Sequence, residues 1–298
     1  STPIKSSAAS DVYKRQSFSS WTCLTQRRRN PMKLYKRAAA LILTAATLLS
    51  LVPPVSAADD HVTVSSAKEF YALVQSCTRD VWSQGVTVEL TADLDLSGSD
   101  FQPIPIFQGT FHGNGHTIRG ITYDHKGSTL GLFRTLTESA VVENLSVEGL
   151  LEPQGSASQL GLLAGENYGT IRSCSAKGTV SGQEDVGGLV GVNGETGRIE
   201  GSSCQTQISG VTNVGGIAGQ NLGTLEQCVN TGLLNPDPDQ EIPTSVGGIA
   251  GLSRGTIQSC SNSGEIGYQH LGYNMGGIVG LQSGSVLQCS NTGQVWGR

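Results

Sequence analysis

The stretch that decides the fold is Val214-Gly-Gly-Ile-Ala-Gly219, a six-residue phrase that recurs along the C-terminal half of the chain. Copies of it are Leu160-Gly-Leu-Leu-Ala-Gly165, Val186-Gly-Gly-Leu-Val-Gly191, Val246-Gly-Gly-Ile-Ala-Gly251 and Met275-Gly-Gly-Ile-Val-Gly280. The closing glycines of the five phrases are 26, 28, 32 and 29 residues apart. Self-similarity at such a period indicates stacked supersecondary units, so the chain is predicted to be a repeat protein.

Each repeat contains three short apolar pieces, for example Val214–Ala218, Thr224–Cys228 and Leu233–Leu234, separated by corners rich in Gly and Asn. The pieces are too short for helices, and glycine at this density destabilises a helix. Three strands per turn, stacked about 4.8 Å apart, form a parallel β-helix. The sequence therefore predicts an all-β, right-handed parallel β-helix with three strands per rung. A β-propeller, with blades of about 40 residues, and a disordered Gly-rich tract are the alternatives.

A cysteine follows the closing glycine of each repeat at a nearly constant distance. It stands nine residues on at Cys174, Cys228, Cys260 and Cys289, and thirteen residues on at Cys204, where Gly194–Arg198 is interpreted as a local insertion. One position of successive rungs forms a column, and Leu145 occupies it in a degenerate upstream unit. We therefore predict a structural core column of buried free thiols, because free Cys behaves as a small hydrophobe. Disulfides, which an even cysteine count suggests in an exported chain, and a metal site are the alternatives.

Asparagines stand two residues after the last three of these cysteines, at Asn230, Asn262 and Asn291. Asn and Gly at corners suit left-handed backbone angles that other residues resist. The three asparagines are predicted to stack, with their amides hydrogen-bonded along the column.

The repeat pattern G-G-[IL]-[VA]-G-x-N-x-G-x-[IL]-x-x-C, carried by Gly216–Cys228 among others, resembles the GLUG-motif repeats of bacterial secreted and surface proteins. Phe107–Ile118 upstream resembles the segment that opens such domains, and the resemblance covers about residues 88–298. The family includes adhesin-like proteins and the N-terminal, non-catalytic parts of IgA-protease-type metallopeptidases. The resemblance implies a scaffold and names no common ligand.

The first 57 residues combine an export signal with a preceding stretch that does not resemble mature protein. Met32–Arg37 is basic, Ala38–Val52 is apolar, and Val55-Ser-Ala57 fits a cleavage site. The apolar stretch is shorter than the roughly 18 residues of a spanning helix. Residues 32–57 are therefore predicted to be a signal peptide cleaved near Ala57, which makes the protein secreted or cell-surface with no membrane insertion after cleavage. Because Asp11-Val-Tyr-Lys-Arg-Gln16 resembles a translated sequencing adapter, residues 1–31 are interpreted as a translation artefact.

Residues 58–85 are predicted to form an N-terminal cap on the β-helix of residues 86–298. Ser66-Ala-Lys-Glu69 fits a capping box, and one helical face follows it at Phe70, Leu73, Val74 and Cys77. A helix over Ala67–Cys77 is expected to cover the open hydrophobic end of the stack. The last unit stops without a cap, and we interpret the sequence as truncated there.

Composition limits the partners and the chemistry. Residues 58–298 hold 10 Lys and Arg against 23 Asp and Glu, a net charge of −13. This balance argues against binding nucleic acid or an anionic membrane. The chain has no H-E-x-x-H, P-loop, G-x-S-x-G or EF-hand pattern, so no catalytic residue, metal or cofactor is predicted.

One corner of the repeat varies in length, and insertions confined to one edge often mark a binding face. The longer insertions are Asn235–Ser245 and Gly267–Asn274. They supply a candidate ligand-binding corner made of Asp237, Asp239, Glu241, Tyr268, His270 and Tyr273. Aromatic rings there would pack on the apolar face of a sugar while carboxylates accept its hydroxyls. Calcium binding and a tolerated surface insertion are the alternatives.

The sequence thus predicts a non-catalytic, exported or cell-surface module that acts as an adhesin-like binding or spacer scaffold. Its partner is not identified by the residues; a host glycan or protein at the cell exterior is the candidate. The alternatives are the ancillary N-terminal region of a secreted IgA-protease-type hydrolase and a glycan-degrading β-helix enzyme.

Overall fold

A computed structural model describes residues 60–79, 81–237, 241–269 and 272–297. The upstream segment 1–31 and the predicted signal peptide 32–57 lie outside the described residues. So do Asp239 and His270 of the candidate corner.

The strands pair in parallel with the strand one turn later in the chain. Val186 lies beside Val214, and Val214 lies beside Val246, so the glycine phrases superpose rung upon rung. This architecture is a parallel β-helix, which confirms the predicted fold class.

Three parallel sheets extend through the stack. Sheet 1 consists of His61–Val64, Thr87–Leu90, Thr110–His112, Val141–Glu143, Thr170–Arg172, Arg198–Glu200, Thr224–Glu226, Thr256–Gln258 and Ser285–Leu287. Sheet 2 consists of Leu94–Asp95, Thr117–Tyr123, Ser146–Leu151, Ser175–Ser181, Ser203–Ser209, Val229–Asn230, Ser261–Asn262 and Ser290–Asn291. Sheet 3 consists of Ile104–Phe107, Phe133–Leu136, Ala164–Asn167, Val190–Asn193, Ala218–Asn221, Ala250–Ser253 and Val279–Gln282.

A fourth sheet accompanies these three from Ser158 onward, so the later rungs have four strands and the earlier ones three. Sheet 4 consists of Ser158–Leu160, Glu184–Gly187, Thr212–Gly215, Thr244–Gly247 and Tyr273–Gly276. The piece Val214–Ala218, predicted as one strand, crosses the corner between sheets 4 and 3. A Cβ on Gly215 would lie 1.9 Å from the carbonyl oxygen of Ala218, so the chain bends there only because the residue is glycine.

Apolar side chains from successive rungs fill the interior in columns. Among them are Ile171, Ile199, Leu225 and Ile257 from sheet 1, and Val186, Val214 and Val246 from sheet 4. Nearer the N-terminus the core is aromatic: the ring centroids of Phe107, Phe111 and Phe133 lie 5.4–6.2 Å apart. The rungs are therefore held by one continuous apolar core.

The predicted amphipathic helix is present as α1, Ala67–Ser76, with Cys77 as its C-cap. The Ser66 hydroxyl accepts from the Glu69 amide at 3.3 Å, and the Glu69 carboxylate accepts from the amide and the hydroxyl of Ser65 at 2.8 Å. Phe70, Leu73 and Val74 are buried in the same core as the rungs. A strand, His61–Val64, precedes α1 inside the segment predicted to be cap alone, and it opens sheet 1.

The cysteine column differs from the prediction at one rung. Strand register pairs the residues that directly follow the column, including Ser175 with Ser203 and Ser203 with Val229. The column itself is therefore Leu145, Cys174, Ser202, Cys228, Cys260 and Cys289. The amide of Cys174 donates to Ser202 Oγ at 3.1 Å, and the amide of Cys228 donates to Cys260 Sγ at 3.3 Å.

The assignment of Cys204 to this column is wrong. Thr170 pairs with Arg198, so the insertion after Gly191 adds two residues rather than four, and Ser202 falls in the cysteine position. Cys204 lies two residues further on, beside Ala176 and Asn230. It is buried there, and its thiol donates to Thr206 Oγ1 at 3.1 Å.

The predicted asparagine column is confirmed. Asn230 Nδ2 donates to Asn262 Oδ1 at 2.8 Å, and Asn262 Nδ2 donates to Asn291 Oδ1 at 2.8 Å. A second ladder links Asn167, Asn193 and Asn221 at 2.8 and 2.9 Å. In both ladders the amides are also bonded to backbone of their own turn, so buried polar groups are satisfied inside an apolar core.

Left-handed backbone occurs at corner asparagines such as Asn213 and Asn274, as predicted, but not at the three stacked asparagines. The residue before each column position has a φ of 52–54°, and it is Asn144, Ser173, Gly201, Gln227, Ser259 or Gln288. The stacked asparagines lie instead in strands of sheet 2, where Asn230 and Asn262 are buried. Serine and glutamine thus adopt a conformation that usually costs them about 1 kcal/mol or more, because the stack fixes the corner.

The thiols are expected to differ in reactivity along the column. Burial raises the pKa of Cys174 to about 12, and its side chain is almost inaccessible, whereas Cys289 on the last rung is half-buried. Because the thiolate is the nucleophile, iodoacetamide at mildly alkaline pH should modify Cys289 at least about tenfold faster than Cys174. Peptide mass mapping over time measures this. Equal rates at the two cysteines, or a peptide cross-linked through Cys228 and Cys260, would contradict the free, buried column.

Candidate ligand-binding face

The outer face of sheet 2 presents polar side chains in rows. Along Ser203–Ser209 exposed and buried residues alternate, so Ser203, Gln205, Gln207 and Ser209 point outward. Register places Lys177 between Glu148 and Gln205, and Thr179 beside Gln207. Hydroxyl and amide groups therefore recur at the rung spacing of about 4.8 Å.

One groove of about 400 Å³ lies on this face, and we call it the acidic groove. Its polar lining consists of Glu152, Thr179, Ser181, Gln183, Gln207, Ser209, Asp237 and Glu241. These side chains come from three successive rungs and from the insertion that follows Asn235. The groove therefore exists only because the β-helix stacks these segments.

Described residues on either side of positions 238–240 bond the insertion to the sheet. Asn235 is buried, and its amide both accepts from Gly210 N at 2.8 Å and donates to Gly210 O at 3.0 Å. At the other end Glu241 Oε2 accepts from Gln183 Nε2 at 3.4 Å, a contact between residues 58 positions apart. Asp237 and Glu241, the described residues of the insertion in the lining, therefore form one wall of the acidic groove.

The acidic groove is negatively charged. Glu152, Asp237 and Glu241 line it, and among the described residues in its lining there is no Lys, Arg or His. An anionic ligand would meet like charges there, which costs free energy. The groove is therefore suited to neutral or cationic ligands with many hydroxyl or amide groups.

A second groove of about 360 Å³ lies on the same face, and we call it the lysine groove. Its polar lining is Thr117, Ser146, Glu148, Ser175, Lys177, Ser203, Gln205 and Thr231. Ser175 Oγ donates to Ser146 Oγ at 2.8 Å, so part of the hydroxyl row is already self-bonded. The two grooves give sheet 2 a polar surface over several rungs.

The described residues of the candidate ligand-binding corner lie in different places in the structure. Asp237 and Glu241 both line the acidic groove. Tyr268 lines a separate cleft, and Tyr273 begins the last strand of sheet 4, where it pairs with Thr244 and is 53% exposed. The acids and Tyr268 therefore line two different cavities, and Tyr273 lines neither of them. Thr179, Gln183 and Gln207 were not predicted, because only strand register shows that they face the insertion.

Charged residues of sheet 1 pair with one another along the stack. Glu143 accepts from Arg172 Nη1 at 3.1 Å and contacts His112 Nδ1 at 2.8 Å, and Arg198 Nη2 donates to Glu226 at 2.7 Å. This face is an ion-pair ladder rather than a groove.

Neither a metal centre nor a membrane-spanning helix is found in the described part of the chain. No group of three or more His, Cys, Asp or Glu side chains there is arranged to hold a metal ion. No helix in those residues has the length and apolar character needed to cross a bilayer.

Comparison with known families agrees with this architecture. The model of the GLUG motif matches residues 156–181, a segment that contains one complete four-strand rung, from Ser158–Leu160 to Ser175–Ser181. The resemblance predicted from the repeat phrase is confirmed: the chain is a parallel β-helix that carries the GLUG motif.

Curated proteins are similar over parts of the chain. It is 34% identical over 145 residues to halomucin of Haloquadratum walsbyi, an alignment covering 43% of this chain and 2% of halomucin. It is 35% identical over 96 residues to a protein of Evansella cellulosilytica named as a tentative Gly-rich membrane protein, covering 30% of this chain and 11% of that protein. The chain therefore spans only a small fraction of the length of these relatives.

A solved structure shares the fold. It is a Bacteroides ovatus protein proposed to be an immunoglobulin A1 protease, with a TM-score of 0.55 and 18% sequence identity. The similarity covers 76% of this chain and 74% of that one.

Proposed function

We propose that this chain is a non-catalytic, exported binding module, and that the outer face of sheet 2 binds an uncharged glycan. The observation that carries the proposal is the acidic groove, where hydroxyl, amide and carboxylate groups converge from three rungs and from the insertion. A glycan offers many hydroxyls that both donate and accept, and such side chains complement them. The names of the similar proteins, halomucin and a Gly-rich membrane protein, support a secreted or cell-surface location.

The charge of the groove selects among glycans. Three carboxylates, those of Glu152, Asp237 and Glu241, line the acidic groove. Polyuronates and sulfated glycans carry negative charge, so they are disfavoured relative to neutral and amino sugars. Binding to neutral glycans with rejection of anionic ones is the specificity we expect.

Removing the amides of the acidic groove is the direct test. The double variant Gln183→Ala/Gln207→Ala should bind neutral oligosaccharides about tenfold more weakly, because each lost hydrogen bond is worth about 0.5–1.5 kcal/mol. Isothermal titration calorimetry measures the affinity. Gln258→Ala, an outward glutamine on sheet 1, is the matched control and should bind as the wild type does. Tighter binding of a polyuronate than of neutral oligosaccharides, or an unaffected double variant, would contradict the proposal.

A second proposal is favoured by the solved relative. Its similarity extends over three quarters of both chains, so this β-helix would serve as the ancillary region of a secreted peptidase. Sequencing the gene beyond the codon for Arg298 tests it: a zinc-peptidase motif in the same frame would support it, and a frame with none would contradict it. Release of reducing ends from a polysaccharide by this chain would instead show a glycan-degrading enzyme.

A further inference from the structure

A small cleft adjoins the acidic groove, and we call it the tyrosine cleft. It has a volume of about 220 Å³ and is lined by Leu233, Pro236, Glu265, Gly267 and Tyr268. Leu233 is 42% exposed, although it is a large apolar residue, and its side chain lies in the lining. The cleft therefore combines apolar and aromatic surface with a carboxylate, a composition that neither groove of sheet 2 has.

The tyrosine cleft lies on the rungs that follow the acidic groove, and one outward column of residues runs from the groove into the cleft. Backbone bridges pair Ile208 with Leu234 and Leu234 with Ile266. The preceding residues therefore form one outward column of Gln207, Leu233 and Glu265. Gln207 lines the acidic groove, and the other two line the cleft.

The two cavities share a wall. Pro236 lines the tyrosine cleft, and Asp237, the next residue, lines the acidic groove. The wall is held by the buried Asn235, which is bonded twice to Gly210. A ligand long enough to pass this wall would occupy both cavities.

The polar groups of the cleft are oriented by their neighbours. Glu265 Oε1 accepts the indole N–H of Trp296 at 2.6 Å, which fixes the carboxylate and brings Trp296 beside the cleft. Gly267 has a φ of +77°, and a Cβ there would lie 2.7 Å from the carbonyl oxygen of Trp296 and 2.8 Å from the Met275 side chain. The Tyr268 hydroxyl accepts from Gln269 Nε2 at 2.9 Å.

We propose that the tyrosine cleft is a second sugar subsite, which binds one pyranose ring of the glycan whose remaining rings occupy the acidic groove. The Tyr268 ring and Leu233 pack against the apolar face of the sugar, and Glu265 accepts its hydroxyls. Apolar contact with a few placed polar groups is the usual composition of small-ligand sites. The inference rests on the proposed function and specifies it: the ligand is a neutral oligosaccharide rather than a single sugar.

The test uses soluble neutral oligosaccharides of β-linked glucose, mannose and N-acetylglucosamine, from disaccharide to hexasaccharide. With Tyr268→Ala, affinity for the hexasaccharide should fall about tenfold, while affinity for the disaccharide in the acidic groove should stay unchanged. Tyr273→Ala, an exposed tyrosine outside both cavities, is the matched control. Thermal unfolding of each variant confirms that the stack is intact.

Tryptophan fluorescence gives a second readout. Because Trp296 lies beside the cleft, longer oligosaccharides should change the emission of the wild-type chain, and Trp296→Phe should remove the change. Suppose that Tyr268→Ala binds oligosaccharides of every length as the wild type does, while Gln183→Ala/Gln207→Ala binds them more weakly. The second subsite is then refuted, and the proposal that the acidic groove binds glycans is retained. If the wild-type chain binds none of these oligosaccharides, both proposals fail.

Discussion

Replacing Gly219 with valine is expected to abolish cooperative folding of the rungs around it. A Cβ at this position would lie 2.3 Å from the carbonyl carbon of Asp185 and 2.5 Å from the amide nitrogen of Val186. Both atoms are backbone of the preceding rung, so no flexible side chain can move aside. Gly251 and Gly280 meet the backbone of their preceding rungs in the same way. The closing glycine of the repeat phrase is therefore required wherever sheet 3 passes sheet 4.

The expected cost of Gly219→Val is at least about 3 kcal/mol, the upper range of overpacking, because the backbone itself has to move. Urea unfolding followed by circular dichroism measures it. Gly155→Asn is the control: Gly155 has a φ of +84° with nothing within 4 Å of an added Cβ, and asparagine tolerates left-handed angles. An unfolding midpoint for Gly219→Val equal to that of Gly155→Asn would show that the rungs do not close as described.

Replacing Asn262 with alanine is expected to remove the centre of a buried polar ladder. Its amide donates to Gly264 O at 2.9 Å and to Asn291 Oδ1 at 2.8 Å. Its carbonyl accepts from Gly264 N at 3.2 Å and from Asn230 Nδ2 at 2.8 Å. Each buried partner left without a hydrogen bond costs about 1–3 kcal/mol, so the expected loss is about 3 kcal/mol or more.

Asn291→Ala is the matched comparison, since Asn291 belongs to the same ladder but is exposed on the last rung. Water can replace its contacts, and the expected loss is below about 1 kcal/mol. Amide hydrogen exchange should show faster opening of the rungs around residue 262 in Asn262→Ala and near wild-type protection in Asn291→Ala. Similar losses in the two variants would mean that the buried ladder does not stabilise the stack.

The parts of the fold that depend on spacing within one repeat were predictable from the sequence. Glycine phrases and cysteines recur at short, regular distances, and each repeat shows its inward residues directly. The prediction was wrong at Cys204 because its distance from Gly191 includes an insertion of undetermined length. From the sequence alone, either Ser202 or Cys204 could occupy the position of the cysteine column. The pairing of Thr170 with Arg198 shows that it is Ser202.

The candidate site was less predictable, because it depends on register between rungs. The insertion after Asn235 was identified from its length, and Asp237 and Glu241 do line a groove. Their partners Gln183 and Gln207 are ordinary polar residues of other repeats, with no local signal in the sequence. Gln183 meets Glu241 across 58 positions of chain, a distance that no repeat motif encodes.

The outward column of Gln207, Leu233 and Glu265 has a consequence for how such a chain changes over generations. Main-chain pairing holds this column in neighbouring coils, and Glu265 is bonded in addition to Trp296 of the next coil, so an outward side chain can vary while the interior stays the same. Duplicating one repeat would insert another row of contacts at a constant pitch and leave existing rows intact. The length of polymer that the surface can bind would then increase by one fixed step for each added coil.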